Sequence, residues 1–248
     1  MDLIGNVFDL REIILKTETM KIKYLIIVCS AVLFSKVLSA QTYIQGGVNF
    51  ANISVYSNGK TEKNNSLTTF NAGILSRFGL SKLVDLESGL IFTGRGSKAE
   101  TYYTNNDYVK TKFNPYYLEL PLNLVVKIPV PGGLNLFAHA GPYIAMGIAG
   151  KSTSEYQFAG IAGSSSNDIK YSNENPFTSQ QENASYDKLK RFDFGLNFGA
   201  GVDLKKIILK ANYGLGLTKI NSTQSNNGAD DQNKYRTFSL SVGIPISR

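Results

Sequence analysis

The sequence predicts an all-β fold, an eight-stranded antiparallel transmembrane up-and-down β-barrel with short periplasmic turns and long extracellular loops. Apolar and polar residues alternate in eight separate segments of at least eleven residues each. A period of two is the period of a β-strand, and these segments are about twice as long as strands of soluble sheets. The connections alternate between short and long, which is typical of outer-membrane barrels. Beyond residue 40, no apolar run approaches the roughly 20 residues of a membrane helix.

The segment at residues 116–127 shows the alternation most clearly. Every even position from Tyr116 to Val126 is apolar, whereas the odd positions include Glu119, Asn123 and Lys127. We expect the even side chains to face lipid and the odd ones to face the lumen. A mean hydropathy of −0.12 does not contradict a membrane location, because barrel strands place apolar residues at alternate positions only.

Seven further strands and the connections between them follow from the same pattern. The short connections are 81–83, 128–133 and 205–206, and the long ones are 54–67, 96–115, 149–190 and 218–234. A soluble lipocalin-type barrel is the structural rival, but long strands and a charged face on the narrow interior argue against it. The further strands are predicted at 43–53, 68–80, 84–95, 134–148, 191–204, 207–217 and 235–246.

Three parts of the chain are distinguished by composition. Residues 20–40 resemble a secretory signal peptide, with Met20-Lys-Ile-Lys, an apolar run to Leu33 and the small residue Ala40 before the expected cleavage. The alternative is a membrane anchor helix. Residues 1–19 are expected to be an extension from a misassigned start codon, and residues 41–248 form the barrel domain.

Cys29 is the only cysteine and lies inside the signal, so thiolate metal sites and cysteine nucleophiles are excluded from the mature chain.

The net charge of +7 is spread along the chain without a run of five basic residues. This pattern does not favour nucleic acid as a partner. We expect outer-membrane lipid and lipopolysaccharide as partners, with a protein partner at the loop 149–190, which carries five aromatic residues among Ser, Asn and Gly. The barrel is expected to be a monomer in the cell outer membrane.

The polar faces predict a network of charges inside the lumen, because an eight-stranded barrel is filled by side chains and unpaired interior charges are costly. The interpretation favoured is a structural plug, and the alternative is a solute-selective pore. The predicted strand registers place Arg77 opposite Glu87, Arg95 opposite Tyr117, Thr93 opposite Glu119, Asp85 opposite Lys127, Glu119 opposite Tyr143 and Asn123 opposite His139. The predicted network comprises Arg77, Glu87, Arg95, Glu119, Asp193 and Lys210.

Catalysis is not expected from these residues. His139 is the only histidine, and its position in the strand directs it to the lumen with no serine beside it in sequence. The chain carries no Gly-x-Ser-x-Gly elbow, phosphate loop or metal-spaced histidine pair. We therefore predict no catalytic, cofactor-binding or metal-binding residues and no cofactor.

Several phrases of the sequence, taken in order, resemble the PorT-like outer-membrane β-barrel family of Bacteroidetes-type bacteria. The resemblance spans about residues 41–248 and implies an eight-stranded barrel without catalytic residues. The founding member of that family assists the secretion and maturation of exported proteases. The phrases are Leu86-Glu87-Ser88-Gly89-Leu90, Gly94-Arg95-Gly96, Tyr117-Leu118-Glu119-Leu120-Pro121-Leu122, Ala140-Gly141-Pro142-Tyr143, the run from Phe194 to Val202, and Tyr213-Gly214-Leu215-Gly216-Leu217.

The functional expectation is a non-enzymatic outer-membrane barrel that serves as an envelope component or as a loop-mediated binding or secretion accessory. A narrow porin-like solute channel is the alternative. An outer-membrane lipid-modifying enzyme is the third hypothesis, and it would have to use His139.

Overall fold

A computed structural model describes residues 40–57, 60–63, 66–103, 107–172, 188–220 and 233–247. The predicted extension 1–19 and signal peptide 20–40 lie outside these residues, apart from Ala40. In the part of the chain that is described, no helix has the length and hydropathy needed to span a membrane. The strands are β1 Gln41–Ser57, β2 Lys60–Lys63, β3 Leu67–Gly79, β4 Val84–Gly94, β5 Ser97–Tyr102, β6 Tyr108–Val130, β7 Leu134–Phe158, β8 Ile161–Asp168, β9 Lys170–Ser172, β10 Lys188–Lys190, β11 Phe192–Asp203, β12 Ile208–Gly216 and β13 Lys234–Pro245.

Eight of these strands close into a barrel. The antiparallel pairs run β1–β3–β4–β6–β7–β11–β12–β13, and β13 pairs with β1 to complete the ring. The eight ring strands follow one another in chain order, so the barrel has the predicted up-and-down topology. The predicted fold class is confirmed. Below, the turn end of the barrel is the end with the connections 80–83, 131–133 and 204–207, and the loop end is the opposite one.

The barrel has an apolar outside and a polar inside. On β6, Leu120, Leu122 and Leu124 are about half exposed, whereas Glu119 and Asn123 are buried. This is the reverse of a soluble protein, in which apolar side chains avoid the surface. The outward side chains are therefore the lipid contact, and the inward ones must satisfy each other.

Strands β6 and β7 are much longer than predicted. They span 23 and 25 residues, and each continues far beyond the barrel at the loop end. There β5 pairs with β6, and β8 pairs with β7, so that β5–β6–β7–β8 form a four-stranded sheet. We call this the projecting sheet.

The prediction that 96–115 and 149–190 are loops is therefore wrong for the residues of the projecting sheet. This sheet lies beyond the hydrocarbon-spanning part of the barrel, so its sequence lacks the apolar–polar alternation on which the strand prediction relied. Strands β9 and β10 form a separate parallel pair near this end.

The register across the turn after β3 is confirmed, since Arg77 lies opposite Glu87. The predicted register between β4 and β6 is wrong by two residues. Tyr117 pairs with Thr93 instead of Arg95, and Glu119 pairs with Ile91. A long connection joins these strands, so no tight turn determines their alignment.

The predicted register between β6 and β7 is also wrong by two residues. Glu119 lies opposite Ala145 instead of Tyr143, and His139 lies opposite Val125 instead of Asn123. The reason is a turn at 131–133 that is shorter than predicted and contains two glycines with positive φ, Gly132 and Gly133. A shift of two residues keeps every side chain on its predicted face.

Candidate functional site

The barrel interior brings all six residues of the predicted network into two clusters of ion pairs. Each of the six is at most 7% exposed. The first cluster lies towards the turn end and consists of Arg77, Glu87 and Lys210. The second lies towards the loop end and consists of Arg95, Glu119 and Asp193. Three positive charges thus face three negative charges, which leaves the six-residue network neutral.

The turn-end cluster is centred on the fully buried carboxylate of Glu87. Arg77 Nε donates to it at 2.8 Å, and Lys210 Nζ donates at 2.5 Å. The hydroxyl of Tyr43 and the amide of Asn123 also donate to Glu87, at 2.8 and 3.2 Å. Four donors from four different strands satisfy this carboxylate, which is the condition under which a buried charge is tolerated.

The guanidinium of Arg77 has further partners around the same cluster. Its central carbon lies 4.2 Å from the ring centroid of Phe137, which is within the range of a cation–π contact. Asp203 Oδ2 lies 4.0 Å from Arg77 Nη1. At the rim below, Lys127 Nζ donates to Asp85 at 2.7 Å, even though the two residues are not directly opposite. Together with Tyr43 and Asn123, the cluster and its partners lie on seven of the eight barrel strands, all except β13.

The loop-end cluster is centred on Arg95. Its guanidinium donates to Glu119 at 2.5 Å and pairs with Asp193. Asn197 donates to the other oxygen of Glu119 at 2.9 Å, and Tyr143 donates to Asp193 at 2.9 Å. The two carboxylates are therefore bound to the arginine and to neutral donors, an arrangement suited to holding charge in place.

Aromatic rings enclose the same arginine. The central carbon of Arg95 lies 5.3 Å from the ring centroid of Tyr117, 4.6 Å from Tyr143 and 5.9 Å from Tyr235. The hydroxyl groups of Tyr117 and Tyr235 are 3.3 Å apart. Arg95 is thus surrounded by three rings and two carboxylates and blocks the cross-section of the barrel at this height.

A layer of amide side chains separates the two clusters. Asn49 and Asn71 bond to each other at 2.6 Å, and Gln45 donates to Asn71 at 3.2 Å. Asn212 donates to Asn197 at 3.1 Å on the other side of the barrel. The cavity in this layer has a volume of about 40 Å³, which is enough for a few water molecules and too small for a sugar or an amino acid.

Apolar residues close the loop end above Arg95. Tyr117, Tyr143 and Tyr235 pack in one buried cluster with residues that follow the barrel strands, namely Ile169, Leu189 and Ile220. The ring of Tyr171 lies against Gly147 at the same height and donates its hydroxyl to the carbonyl oxygen of Ala149 at 2.7 Å. Burial raises the pKa of the Tyr171 hydroxyl, so it remains a donor at neutral pH. This apolar layer covers Arg95 on the side of the loop end.

The structure adds residues that the sequence reasoning did not include in the network. Tyr43, Tyr143, Asn197 and Asp203 all bond to its members. Asn197 and Asp203 lie on the same face of β11 as Asp193, whereas Tyr43 and Tyr143 lie diagonally across a strand pair from a predicted member. The pattern of strand faces was therefore the signal that would have included them.

His139 does not lie beside a nucleophile. It is buried against Phe137, with ring centroids 6.3 Å apart, and faces Gly199 on β11. Within the described residues neither ring nitrogen has a hydrogen-bond partner. Across the same residues no group of three or more His, Cys, Asp or Glu side chains is arranged to hold a metal ion.

Comparison with known proteins identifies the family. A model of the outer membrane protein beta-barrel domain matches residues 38–222. The chain belongs to this family. The protein therefore resides in the outer membrane, where the short turns of such barrels face the periplasm and the long loops face the outside. The turn end described above is the periplasmic end, and the projecting sheet is extracellular.

The chain is also similar, at low sequence identity, to solved structures of outer-membrane barrels. Ail of Yersinia pestis is 16% identical, with 84% of this chain and 99% of that chain covered and a TM-score of 0.37. Neisserial surface protein A is 11% identical, with 83% and 97% covered and a TM-score of 0.35. The N-terminal barrel domain of Pseudomonas aeruginosa OprF is 10% identical, with 84% and 99% covered and a TM-score of 0.28. No curated protein matches the chain.

Proposed function

We propose that this protein is a non-enzymatic outer-membrane barrel that acts by binding another protein through its projecting sheet. The observation that carries the proposal is the contrast between the two parts of the molecule. Among the described residues, the lumen side chains form ion pairs and an apolar layer covers them at the extracellular end. The projecting sheet, by contrast, has edge strands that pair on one side only in the described part of the chain, and it carries exposed aromatic side chains. The export signal predicted at 20–40 and the monomeric state are part of the same proposal.

The tip of the projecting sheet has the composition of a protein-contact surface. Tyr102, Tyr103, Tyr156, Phe158 and Ile161 are each between 42% and 71% exposed. Two of them stack across the tip, with the ring centroids of Tyr103 and Phe158 5.4 Å apart. Large rigid aromatic side chains that remain exposed together are characteristic of protein interfaces.

The edges of the projecting sheet provide a second means of contact. Among the described strands, β5 and β8 each pair on one side only. An unpaired strand edge offers a row of backbone donors and acceptors to an extended segment of another protein. Strand β8 also lies within the loop 149–190 in which the sequence analysis expected a partner contact.

The finer proposal is that this barrel is a PorT-like secretion accessory whose partner is an exported protein or a component of its export route. The support is the resemblance of the sequence phrases together with an extracellular sheet able to pair with an extended chain. The rival enzyme hypothesis would require His139 to act with a hydroxyl nucleophile. The contacts of His139 with Phe137 and Gly199 favour a packing role for the histidine instead.

Complementation of a deletion strain tests this proposal. The strain would receive either the wild-type gene or a variant in which residues 161–168 of β8 are replaced by a Gly-Ser segment of equal length. We expect surface display of exported proteins to fall in the deletion strain and to return with the wild type but not with the variant.

A variant in which the periplasmic turn 81–83 is replaced in the same way is the matched control, and it should restore display. Heat-modifiable mobility on a gel shows whether each variant forms a barrel. Full restoration by a folded β8 variant would contradict the role of the projecting sheet.

A further inference from the structure

The base of the projecting sheet carries lysines on the side that continues the lipid-facing surface of the barrel. Even-numbered residues of β6 face outward within the barrel, from Val126 to Tyr116. The one register shift between β6 and β7 results from an extra residue on β7, Ile148, so the alternation on β6 continues unbroken. Asn114 and Lys112 therefore point to the same outer side as Tyr116.

Three lysines meet there on three neighbouring strands. Lys112 on β6 lies directly opposite Lys98 on β5. Lys151 on β7 lies opposite Asn114, two residue pairs closer to the membrane and on the same face. Directly opposite residues have Cβ atoms about 5 Å apart, and diagonal neighbours are about 7–8 Å apart. Like charges placed directly opposite each other repel, so the lysine group is stabilised when an anion lies among them.

The acidic residues on this side of the sheet leave two of the lysines without an ion pair. Lys98 Nζ lies 3.3 Å from Glu100, and its hydrogen bond is the main reason that the pKa of Glu100 lies below its usual value. Lys112 and Lys151 are exposed and form no ion pair with any described residue, although Asp168 lies opposite Lys151 on β8.

The acidic residue Glu155 lies one row further from the membrane, opposite Lys110. Lys110 is itself 4.5 Å from the ring centroid of Tyr108 and therefore has an aromatic contact of its own. The two rows nearest the barrel thus carry a net charge of +2. In the row beyond them, Glu100 and Glu155 both lie opposite Lys110, and the net charge is −1.

The lysines lie just above an aromatic belt that marks the membrane surface. Phe70, Phe92 and Tyr116 stack on the outer surface at the extracellular end, with ring centroids 5.2 to 5.8 Å apart. Aromatic girdles of this kind lie at the boundary between hydrocarbon and headgroups. At about 3.3 Å per residue and a strand tilt of about 40°, Lys151 and Lys112 rise roughly 5 and 10 Å above Tyr116. Lys151 therefore lies within the headgroup region and Lys112 at its outer edge.

We propose that Lys98, Lys112 and Lys151 bind the phosphate groups of lipid A in the outer leaflet. Ammonium groups form short, charge-assisted hydrogen bonds with phosphate oxygens. The hydroxyl groups of Thr153 and Ser166 lie in the same row as Lys112 and provide neutral donors beside them. The site holds the projecting sheet at a defined height over the membrane, and it depends on the outer-membrane location, not on the proposed protein contact.

Lipid A binding by the folded full chain in detergent tests this site. Native mass spectrometry would measure the affinity for diphosphoryl lipid A and for dephosphorylated lipid A. We expect K112Q/K151Q to bind diphosphoryl lipid A at least tenfold more weakly than the wild type, because two ammonium contacts are lost. K112R/K151R should bind as the wild type does, and dephosphorylated lipid A should not distinguish the variants.

The matched control is K82Q/K206Q, which removes two exposed lysines from the periplasmic turns. It should bind as tightly as the wild type. Equal affinity of the wild type and folded K112Q/K151Q would overturn the proposal, and so would an equal loss in K82Q/K206Q. If K112Q/K151Q does not fold, the single variants K112Q and K151Q are measured instead, and each should bind several-fold more weakly than the wild type.

Discussion

At the residue scale, the interior shows how an arginine is held inside a membrane protein. Arg95 is 3% exposed, and its charge is balanced by Glu119 and Asp193 and covered by three tyrosine rings. Taking three charged groups out of water is costly, and the arrangement is favourable only because each group has several partners. Removing the arginine leaves both carboxylates without a cation.

Replacing Arg95 by Met should therefore destabilise the barrel strongly. We expect the free energy of unfolding to fall by about 3–5 kcal/mol, because two carboxylates remain buried without their cation. Urea unfolding of the protein in phospholipid vesicles, followed by gel mobility without boiling, would measure the change.

Glu100→Gln is the control for this prediction, because it removes an ion pair on the exposed projecting sheet. Exposed pairs contribute little, so this variant should unfold at the same urea concentration as the wild type. An Arg95→Met barrel as stable as Glu100→Gln would show that the interior network does not hold the barrel together.

At the element scale, the pairing of β6 with β7 depends on a close approach at Gly141. The ladder has no paired residues between Pro121–Tyr143 and Leu124–Ala140. The two prolines at this height, Pro121 and Pro142, have no N–H to donate to the ladder. A Cβ atom at Gly141 would overlap the carbonyl oxygen of Leu122, so the strand has no room for a side chain there.

Gly141→Ala should accordingly weaken the β6–β7 pair. Relieving the overlap requires the backbone of β6 to move, and overpacking of this kind costs about 1–3 kcal/mol. The readout is the urea midpoint of the same gel assay. Gly46→Ala is the matched control, since a Cβ atom at Gly46 meets nothing within 4 Å. A Gly141→Ala barrel as stable as Gly46→Ala would contradict this account of the pairing.

At the scale of the whole molecule, closure of the ring encloses a lumen in which the described side chains form successive layers. Two ion clusters, an amide layer and an apolar layer follow one another from the periplasmic to the extracellular end. Among the described residues, the interior cavity of the amide layer has a volume of about 40 Å³. This arrangement of the described residues favours the structural plug over the solute-selective pore.

We predict that the wild-type barrel does not conduct ions in planar bilayers. A general porin reconstituted in parallel provides the positive control for the bilayer. Discrete conductance steps from the wild type, absent when the membrane contains heat-denatured protein, would favour the narrow channel over the structural plug. This measurement decides between the two functions that the interior charges suggest.

The alternation of apolar and polar residues along each strand by itself determines which side chains face the lumen and which face lipid. The face to which each side chain points follows from a period of two, which neighbouring residues alone impose. This is why the strand faces were predicted correctly even where the register was wrong by two residues, as at Tyr117 and His139. The number of barrel strands and their order in the ring follow from the same alternation and from the alternating lengths of the connections.

The tertiary structure alone decided which charges meet. Lys210 bonds to Glu87 across 123 positions of sequence, and Arg95 bonds to Asp193 across 98. Such pairs form across the lumen and depend on ring closure and on the alignment of every strand, which no local pattern encodes. The same holds for the projecting sheet, where no regular alternation of apolar and polar residues marks the strands. Its strands exist because β6 and β7 remain hydrogen-bonded beyond the membrane, and only the folded hairpin shows this.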